Sequence, residues 1–378
     1  MSLPAFYVSA RKKQRMEITP DEITKLSKKK IARIINDPLK TAAAGNLVYV
    51  TDAEPGIIRI RKGKTFDYTS GNRKIKDKDE LLRIKKLAIP PAWENVWICM
   101  FPNGHLQATG VDVKVRKQYR YHPLWNSIRN LTKYYRLHEF GKALPSMRLQ
   151  LEKDLSLPGL PVEKVLAAVV SLMERTHIRI GNSFYEKLYG SFGLTTLKDK
   201  HVAISGNAMR FTFKGKKGVA HDISIKNKKL ANIVQKCRDI PGKELFQYYD
   251  ENGGRKCIDS GMLNDYIRKI SGSDFTAKDF RTWAGTLQAL LAFKELGPAE
   301  NAAESKKKIV EALDRVAKDL GNTRNVCKKY YVHPAMITMY ENNDLEKYIK
   351  QLDAIETNGH TADLTPEEKI LMKILEAC

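Results

Sequence analysis

The sequence predicts an α+β chain: a small β-rich N-terminal domain, a larger and mainly helical C-terminal domain, and a β-hairpin inserted among the helices. Three observations predict it. From about Leu47 to His122 the chain breaks into short β-branched and aromatic runs, NLVYV, GIIRIRKG, FDYTS, VWICMF and HLQATG, separated by Pro-Gly, Ser-Gly and Asn-Gly turn signals. Beyond Trp125 the apolar spacing becomes helical. Within this helical region, a single segment returns to period two. Met209, Phe211 and Phe213 alternate on one arm, Val219, His221 and Ile223 on the other, with KGKKG between them.

In chain order, residues 1–41 form a basic extension, with clusters at Arg11, Lys12, Lys13 and at Lys28, Lys29, Lys30. It contains one weakly amphipathic helix from Ile18 to Ile35, capped by Thr19 and opened by Pro20. Residues 42–124 make the β-rich domain and 125–378 the helical one. In the latter, Val162, Val165, Leu166, Val169, Leu172 and Met173 line one helix face that ends near Gly181, which puts Arg179 in the last turn. The hairpin carries Lys216 at an exposed tip. Helical pattern resumes near Asn227, and the final helix opens on the capping-box signature Thr365-Pro366-Glu367-Glu368, followed by Ile370, Leu371, Ile374 and Leu375.

A chain of 378 residues with 42% hydrophobic side chains can fill two or three cores. Lys and Arg number 66 against 43 Asp and Glu, giving +23 and favouring a polyanionic partner held through phosphate contacts. Nucleic acid leads that class, although ribosomal, membrane-surface and heparin-binding proteins share the bias. No apolar run approaches a membrane span, and MSLPAFYVSARKKQR lacks a secretory core, so a cytoplasmic protein is expected. Cys99, Cys237, Cys257, Cys327 and Cys378 are scattered, with no CxxC pair, which points to reduced, unligated thiols. The histidines show no HExxH spacing and no carboxylate cluster suggests a two-metal site, so neither metal nor cofactor is expected. Gly63-Lys64-Thr65 imitates a phosphate loop, but the preceding glycine is Gly56 and the spacing fails.

The segment LGNTRNVCKKYYVHP places Tyr331 nine positions after Asn322 on a basic stretch. A phenol, with a pKa of about 10, attacks a phosphodiester only if fixed cations absorb charge and an acid protonates the departing oxygen. Arg179 and Arg281 suit the first task because guanidinium forks match phosphate oxygens. Lys216, on its turn, suits the second. Singly, each has a plainer explanation as a solvated charge, and Tyr330 competes with its neighbour. His177 and His221 read as packing histidines rather than ligands.

Taken together, ERTHIRIGN around Arg179, FKGKKGVAHDI around Lys216, KDFRTWAGT around Arg281 and LGNTRNVCKKYYVHPAM around Tyr331 resemble, in order, the type IB DNA topoisomerases of the poxvirus-like and bacterial branch. AIPPAWENVWIC and GHLQATGVDVKVRKQYRYHP look like the bacterial members' N-terminal domain, extending the resemblance over roughly residues 45–340. The resemblance implies that Tyr331 forms a 3′-phosphotyrosyl bond, Arg179 and Arg281 stabilise the transition state, and Lys216 protonates the 5′-hydroxyl. Asn322 stands where poxviral and eukaryotic members have histidine; it can donate a hydrogen bond to phosphate but cannot carry a proton. The run KVRKQYRYHPLW interleaves Lys114, Arg116, Lys117 and Arg120 with Tyr119, Tyr121 and Trp125, mixing phosphate-pairing groups with flat surfaces; within it Gln118, Tyr119 and Tyr121 resemble a QYxY element that touches DNA in the poxviral enzymes, and Tyr185 is a similar carry-over. The implied activity is relaxation of positive and negative supercoils without ATP or an obligatory metal, by a monomer closing as a clamp around duplex DNA at the nucleoid. A tyrosine recombinase shares the residue set, yet KDFRTW lacks its HxxR signature; a noncatalytic DNA-binding protein is the third reading.

Overall fold

The computed structural model describes residues 37–63, 65–113, 115–352 and 362–378, and of residues 130 and 131 the backbone alone. The expected helix Ile18–Ile35 and Lys114 lie outside the described residues. The chain divides into two compact units, Met1–Arg136 and Leu137–Cys378.

In the first unit, α1 (Pro38–Ala44) starts on Asp37, whose carboxylate accepts the Leu39 and Lys40 amides. Strands β1 (Ile57–Lys62), β2 (Thr65–Ser70) and β3 (Arg73–Lys74) precede α2 (Lys78–Lys86), then β4 (Glu94–Ile98), β5 (Leu106–Val111) and β6 (Lys117–Tyr121). They form one antiparallel sheet in the order β3-β2-β1-β4-β5-β6. Strand alternation gives the sheet two apolar faces. Val96 and Ile98 join Ile57, Ala108 and Ile84 of α2 on one side; Trp97 and Cys99 join Val50 and Leu106 on the other. The run NLVYV, expected as a strand, makes only the single bridge Val48–Gly104. Its apolar residues pack instead of pairing, Val50 under the sheet and Leu47 against Ala42 and Trp125. The apolar pattern does not announce helix α2; Asp77 caps it and only Ile84 is buried, so its polar surface conceals it.

Helix α3 (Pro123–Leu155) begins two residues before the expected change of texture, at Pro123. The second unit continues with α4 (Val162–Thr176), α5 (Ser183–Tyr189) and the three-stranded sheet β7 (Val202–Ser205), β8 (Ala208–Lys214), β9 (Ala220–Lys226). After α6 (Lys228–Arg238), a short hairpin, β10 (Gln247–Tyr249) with β11 (Arg255–Cys257), leads into α7 (Ser260–Ser271), α8 (Ala277–Leu296) and α9 (Ala302–Asp319). Helices α10 (Arg324–Tyr330), α11 (Pro334–Glu341), α12 (Glu346–Leu352) and α13 (Pro366–Ala377) complete the unit.

The β8–β9 register pairs Phe213 with His221 and Lys214 with Ala220, which puts Lys216 in the exposed turn, as expected. Helix α6 starts at Lys228, where the helical pattern is expected to resume, and the Asn227 side chain caps it. One boundary differs. Helix α4 stops at Thr176 because His177 turns left-handed (φ +55) and gives its amide to Met173, so Arg179 lies beyond the helix rather than in its last turn. The freed backbone is pinned elsewhere, with Leu194 and Thr195 amides donating to the Arg179 and Ile180 carbonyls.

The capping box at α13 forms between Thr365 and Glu368. Glu368 is 3% exposed, and its carboxylate also accepts from both Arg148 terminal nitrogens and from Trp283 Nε1. The last helix is thereby tied to α3 and to α8, two residues from Arg281.

Candidate active site

Arg281 sits on α8, a helix buried along most of its length, and is 5% exposed. Burying a guanidinium is costly unless its donors are used. Its Nη1 donates to the His177 carbonyl and its Nη2 to the Leu320 carbonyl at 2.8 Å, while Nε is buried without a partner among the described residues. Burial lowers its pKa, and the Tyr331 side chain, hydrogen-bonded to it, acts in the opposite direction. Its guanidinium carbon stands 5.2 Å from the Tyr331 ring centroid.

Arg179 reaches the same corner from the segment after α4, 143 positions away from Asn322 in the chain. Its Nη2 donates to Asn322 Oδ1 at 2.5 Å and to the Gly321 carbonyl at 3.2 Å. Burial and then the charge of Arg281 pull it down to about 10, so it keeps its proton at neutral pH. Two guanidiniums held this close repel each other, an arrangement that an anion relieves. Asn322 closes the turn after α9, its amide N–H bonded to Ala317 and its Nδ2 directed at the Leu320 carbonyl at 3.4 Å.

The structure separates the two adjacent tyrosines. Tyr330 is 41% exposed, its ring 5.4 Å from Lys329 Nζ. Tyr331 ends α10, packs against the hydrophobic core and faces Arg281. Two residues of α8 hold its backbone. A Cβ at Gly285 would lie 2.7 Å from the Tyr331 carbonyl oxygen and 2.9 Å from its Cβ, so only glycine allows the approach. The Thr286 hydroxyl, fully buried, accepts the His333 amide at 3.1 Å, and its one hydrogen lies between the Thr282 carbonyl at 2.9 Å and the Tyr331 carbonyl at 3.2 Å. Both close the motif KDFRTWAGT, although neither is a candidate site residue there. Gly285 is four residues from Arg281, one helical turn along the same face, and that spacing is the signal that could have found it. Cys327, one turn before Tyr331, is buried and its thiol is pushed up to about 11 by burial, which makes it inert.

Lys216 is exposed, its Nζ 6.0 Å from the ring centroid of Tyr185 on α5. Helix α5 has no buried residue; Tyr185 is 38% exposed and stacks on Tyr189 at 6.0 Å. His177 contributes its carbonyl to Arg281, and its ring is held neutral by burial and then by Arg281.

In the first unit, β6 splits the candidate DNA contacts by alternation. Lys117, Tyr119 and Tyr121 share one face: Lys117 pairs with Asp52 at 2.5 Å, and the two tyrosine rings stack at 5.9 Å and 9°. Gln118 and Arg120 take the other. Gln118 donates to Asp112 at 2.9 Å, and Arg120 donates to the Ala88 carbonyl at 2.7 Å beside the Trp93 ring. Tyr119 is the most open aromatic of the strand, at 47% exposure.

Comparison with known proteins matches residues 123–358 to the catalytic core of eukaryotic DNA topoisomerase I and residues 65–112 to the N-terminal domain of bacterial DNA topoisomerase IB. DNA topoisomerase 1B of Acanthamoeba polyphaga mimivirus is 35% identical over 297 residues, 76% of this chain and 88% of the relative. DNA topoisomerase 1B of Vaccinia virus (strain Copenhagen) is 24% identical over 242 residues, 62% of this chain and 72% of the relative. Helix α13 lies beyond the residues matched to the catalytic core. With more than half of its length matching that core, the chain belongs to the type IB DNA topoisomerase family.

Proposed function

We propose that Tyr331 is the nucleophile with which this type IB topoisomerase cuts one strand of duplex DNA. The phenolic oxygen attacks phosphorus, its proton passing to water, and a 3′-phosphotyrosyl bond forms as the P–O5′ bond breaks. Lys216 gives a proton to the departing O5′ and is left as the neutral amine. Arg179 and Arg281 bind the nonbridging oxygens while charge builds on them, and Asn322 orients Arg179. The single observation that carries this reading is the buried Arg281 guanidinium, 5.2 Å from the Tyr331 ring centroid and with its Nε unpartnered among the described residues, beside Arg179. An anionic oxygen supplies the missing acceptor and relieves the repulsion between the two cations.

One phosphodiester is exchanged for a phosphotyrosyl ester of similar energy, so religation is the reverse step and needs no ATP. Torsion in the DNA drives rotation in the interval. The chain acts as a monomer that closes as a clamp around duplex DNA in the nucleoid, and the net charge of +23 supports the phosphate contacts this requires. Lys117, Gln118, Tyr119, Arg120, Tyr121 and Tyr185 touch the duplex. Family membership sets aside the recombinase reading.

The test is relaxation of supercoiled plasmid in EDTA without ATP, with Tyr331→Phe and Tyr330→Phe beside the parent. The parent and Tyr330→Phe are expected to relax both signs of supercoil, and Tyr331→Phe to relax neither. Relaxation by Tyr331→Phe, or its loss in Tyr330→Phe alone, overturns the assignment; an inactive parent leaves DNA binding without catalysis as the better reading.

A further inference from the structure

His221 lies on β9, directly across from Phe213 in the hairpin that carries Lys216, with the two rings stacked at 4.9 Å and 16°. Phe213 is 6% exposed, so the stack fixes the imidazole against the body of the unit. Two glycines make room for it. A Cβ at Gly215, the residue before Lys216, would lie 2.6 Å from His221 Nε2; a Cβ at Gly321, the residue before Asn322, would lie 2.6 Å from His221 Cε1. The ring therefore fills the space between the base of the Lys216 turn and the turn that holds Asn322.

Each side of this sandwich is itself anchored. The Gly215 amide donates to the Val219 carbonyl at 2.7 Å, closing the hairpin end, and the Gly321 carbonyl accepts from Arg179 Nη2 at 3.2 Å. Burial and the charges of Arg179 and Arg281 keep the imidazole neutral, so it fits beside the two cations without adding a third. A flat, uncharged ring that touches both turns is a spacer with a defined thickness. Removing it frees the turn to shift relative to the arginines, and a displacement of about 1 Å is enough to lower a rate on the order of 10²-fold.

We infer that His221 is a positioning residue: wedged between Gly215 and Gly321, it seats the Lys216 turn against the Arg179–Asn322 corner so that the lysine meets the leaving 5′-oxygen. This rests on Lys216 being the acid. His221 touches no reacting atom; it acts through the hairpin.

A 5′-bridging phosphorothiolate separates the roles. A departing thiolate, whose conjugate acid has a pKa of about 8.5, needs no proton, whereas a departing alkoxide does. Single-turnover cleavage is measured on a duplex oligonucleotide built around a site mapped from the parent's own nicks, with oxygen or sulfur at the bridging position. His221→Ala is expected to cut the oxygen substrate about 10²-fold more slowly than the parent and the sulfur substrate within about threefold of it. Gly215→Ala, which removes no side chain and pushes the ring out of place, is expected to show the same pattern if His221→Ala fails to fold. Equal slowing on oxygen and sulfur in the folded variant overturns the inference, as does an unimpaired rate on oxygen. Lys216→Ala is the separate control. If sulfur restores Lys216→Ala but not His221→Ala, the inference fails while the acid assignment stands; if sulfur does not restore Lys216→Ala, the acid assignment itself fails.

Discussion

Strand β6 in the first unit and the arginine corner in the second contain similar residues in opposite arrangements. In β6, basic and aromatic residues are consecutive in sequence, yet alternation sends them to two faces and neighbours engage them: Asp52 for Lys117, Asp112 for Gln118, Ala88 O for Arg120. In the second unit, Arg179, Arg281, Asn322 and Tyr331 are scattered along the chain and converge on one corner. Density in sequence is therefore a poor guide to a reactive constellation. The better sign is a cation buried at a cost that nothing among the described residues fully repays, as at Arg281 Nε.

The sharpest way to break this contrast is through ion pairs. Glu368→Ala leaves Arg148 with Glu174 as its remaining carboxylate partner, strands the buried Trp283 N–H and opens the α13 capping box, and is expected to lower stability by about 3 kcal/mol. Asp52→Asn, which removes the partner of the half-exposed Lys117, is expected to cost less than about 1 kcal/mol. Urea unfolding of both variants measures the difference, and equal losses would erase the distinction between the two regions.

Next in size is the effect on chemistry. Arg281→Ala is expected to slow cleavage at saturating DNA by about 10²–10³-fold, with Arg281→Lys recovering only a fraction of the loss. Lys117→Ala is expected to leave that rate unchanged and to reduce the salt dependence of binding by about one charge. Single-turnover cleavage and binding titrations across salt concentrations tell them apart; a cleavage defect in Lys117→Ala would move β6 into the reacting centre.

Thr286→Val removes the hydroxyl that accepts the half-buried His333 amide and is expected to cost about 1 kcal/mol, read by thermal unfolding. A neutral result would remove Thr286 from the set that holds Tyr331.

The smallest effect is that of pH. Burial lowers the pKa values of His177, His201 and His221 in the second unit and of His105 in the first, all from 6.5. Below about pH 6.5 the unfolded chain takes up protons that the folded chain refuses, so stability is full above that pH and falls as the pH drops through it. Urea midpoints at pH 7.5 and 5.5 are expected to fall with acid, and His221→Phe to fall less than the parent. A midpoint independent of pH would contradict the burial of these rings.

Much of the fold is legible because it is written in local rules. Period-two runs locate β1, β2, β4, β5 and the β8–β9 hairpin, and Thr365 with Glu368 announces α13. NLVYV misleads because an apolar run carries no label saying whether it will pair or merely pack. The boundary of α4 misleads because His177, which carries a Cβ, takes the left-handed cap usually left to glycine. The candidate residues in the second unit follow from their motifs, but nothing in the motifs says that the terminal nitrogens of Arg281 are held by the backbone of His177 and Leu320.

What the sequence determined by itself is therefore the succession of a β-rich region and a helical one, the basic character, and, through the resemblance of its motifs to a family, the candidate residues for phosphoryl transfer. Tertiary structure decided which tyrosine faces the arginines, that Gly285 and Thr286 hold it there, and that His221 fits between two glycines remote from each other in the chain. Those choices depend on atoms brought within a few ångströms by packing, and packing couples positions whose separation along the chain carries no signal of their contact.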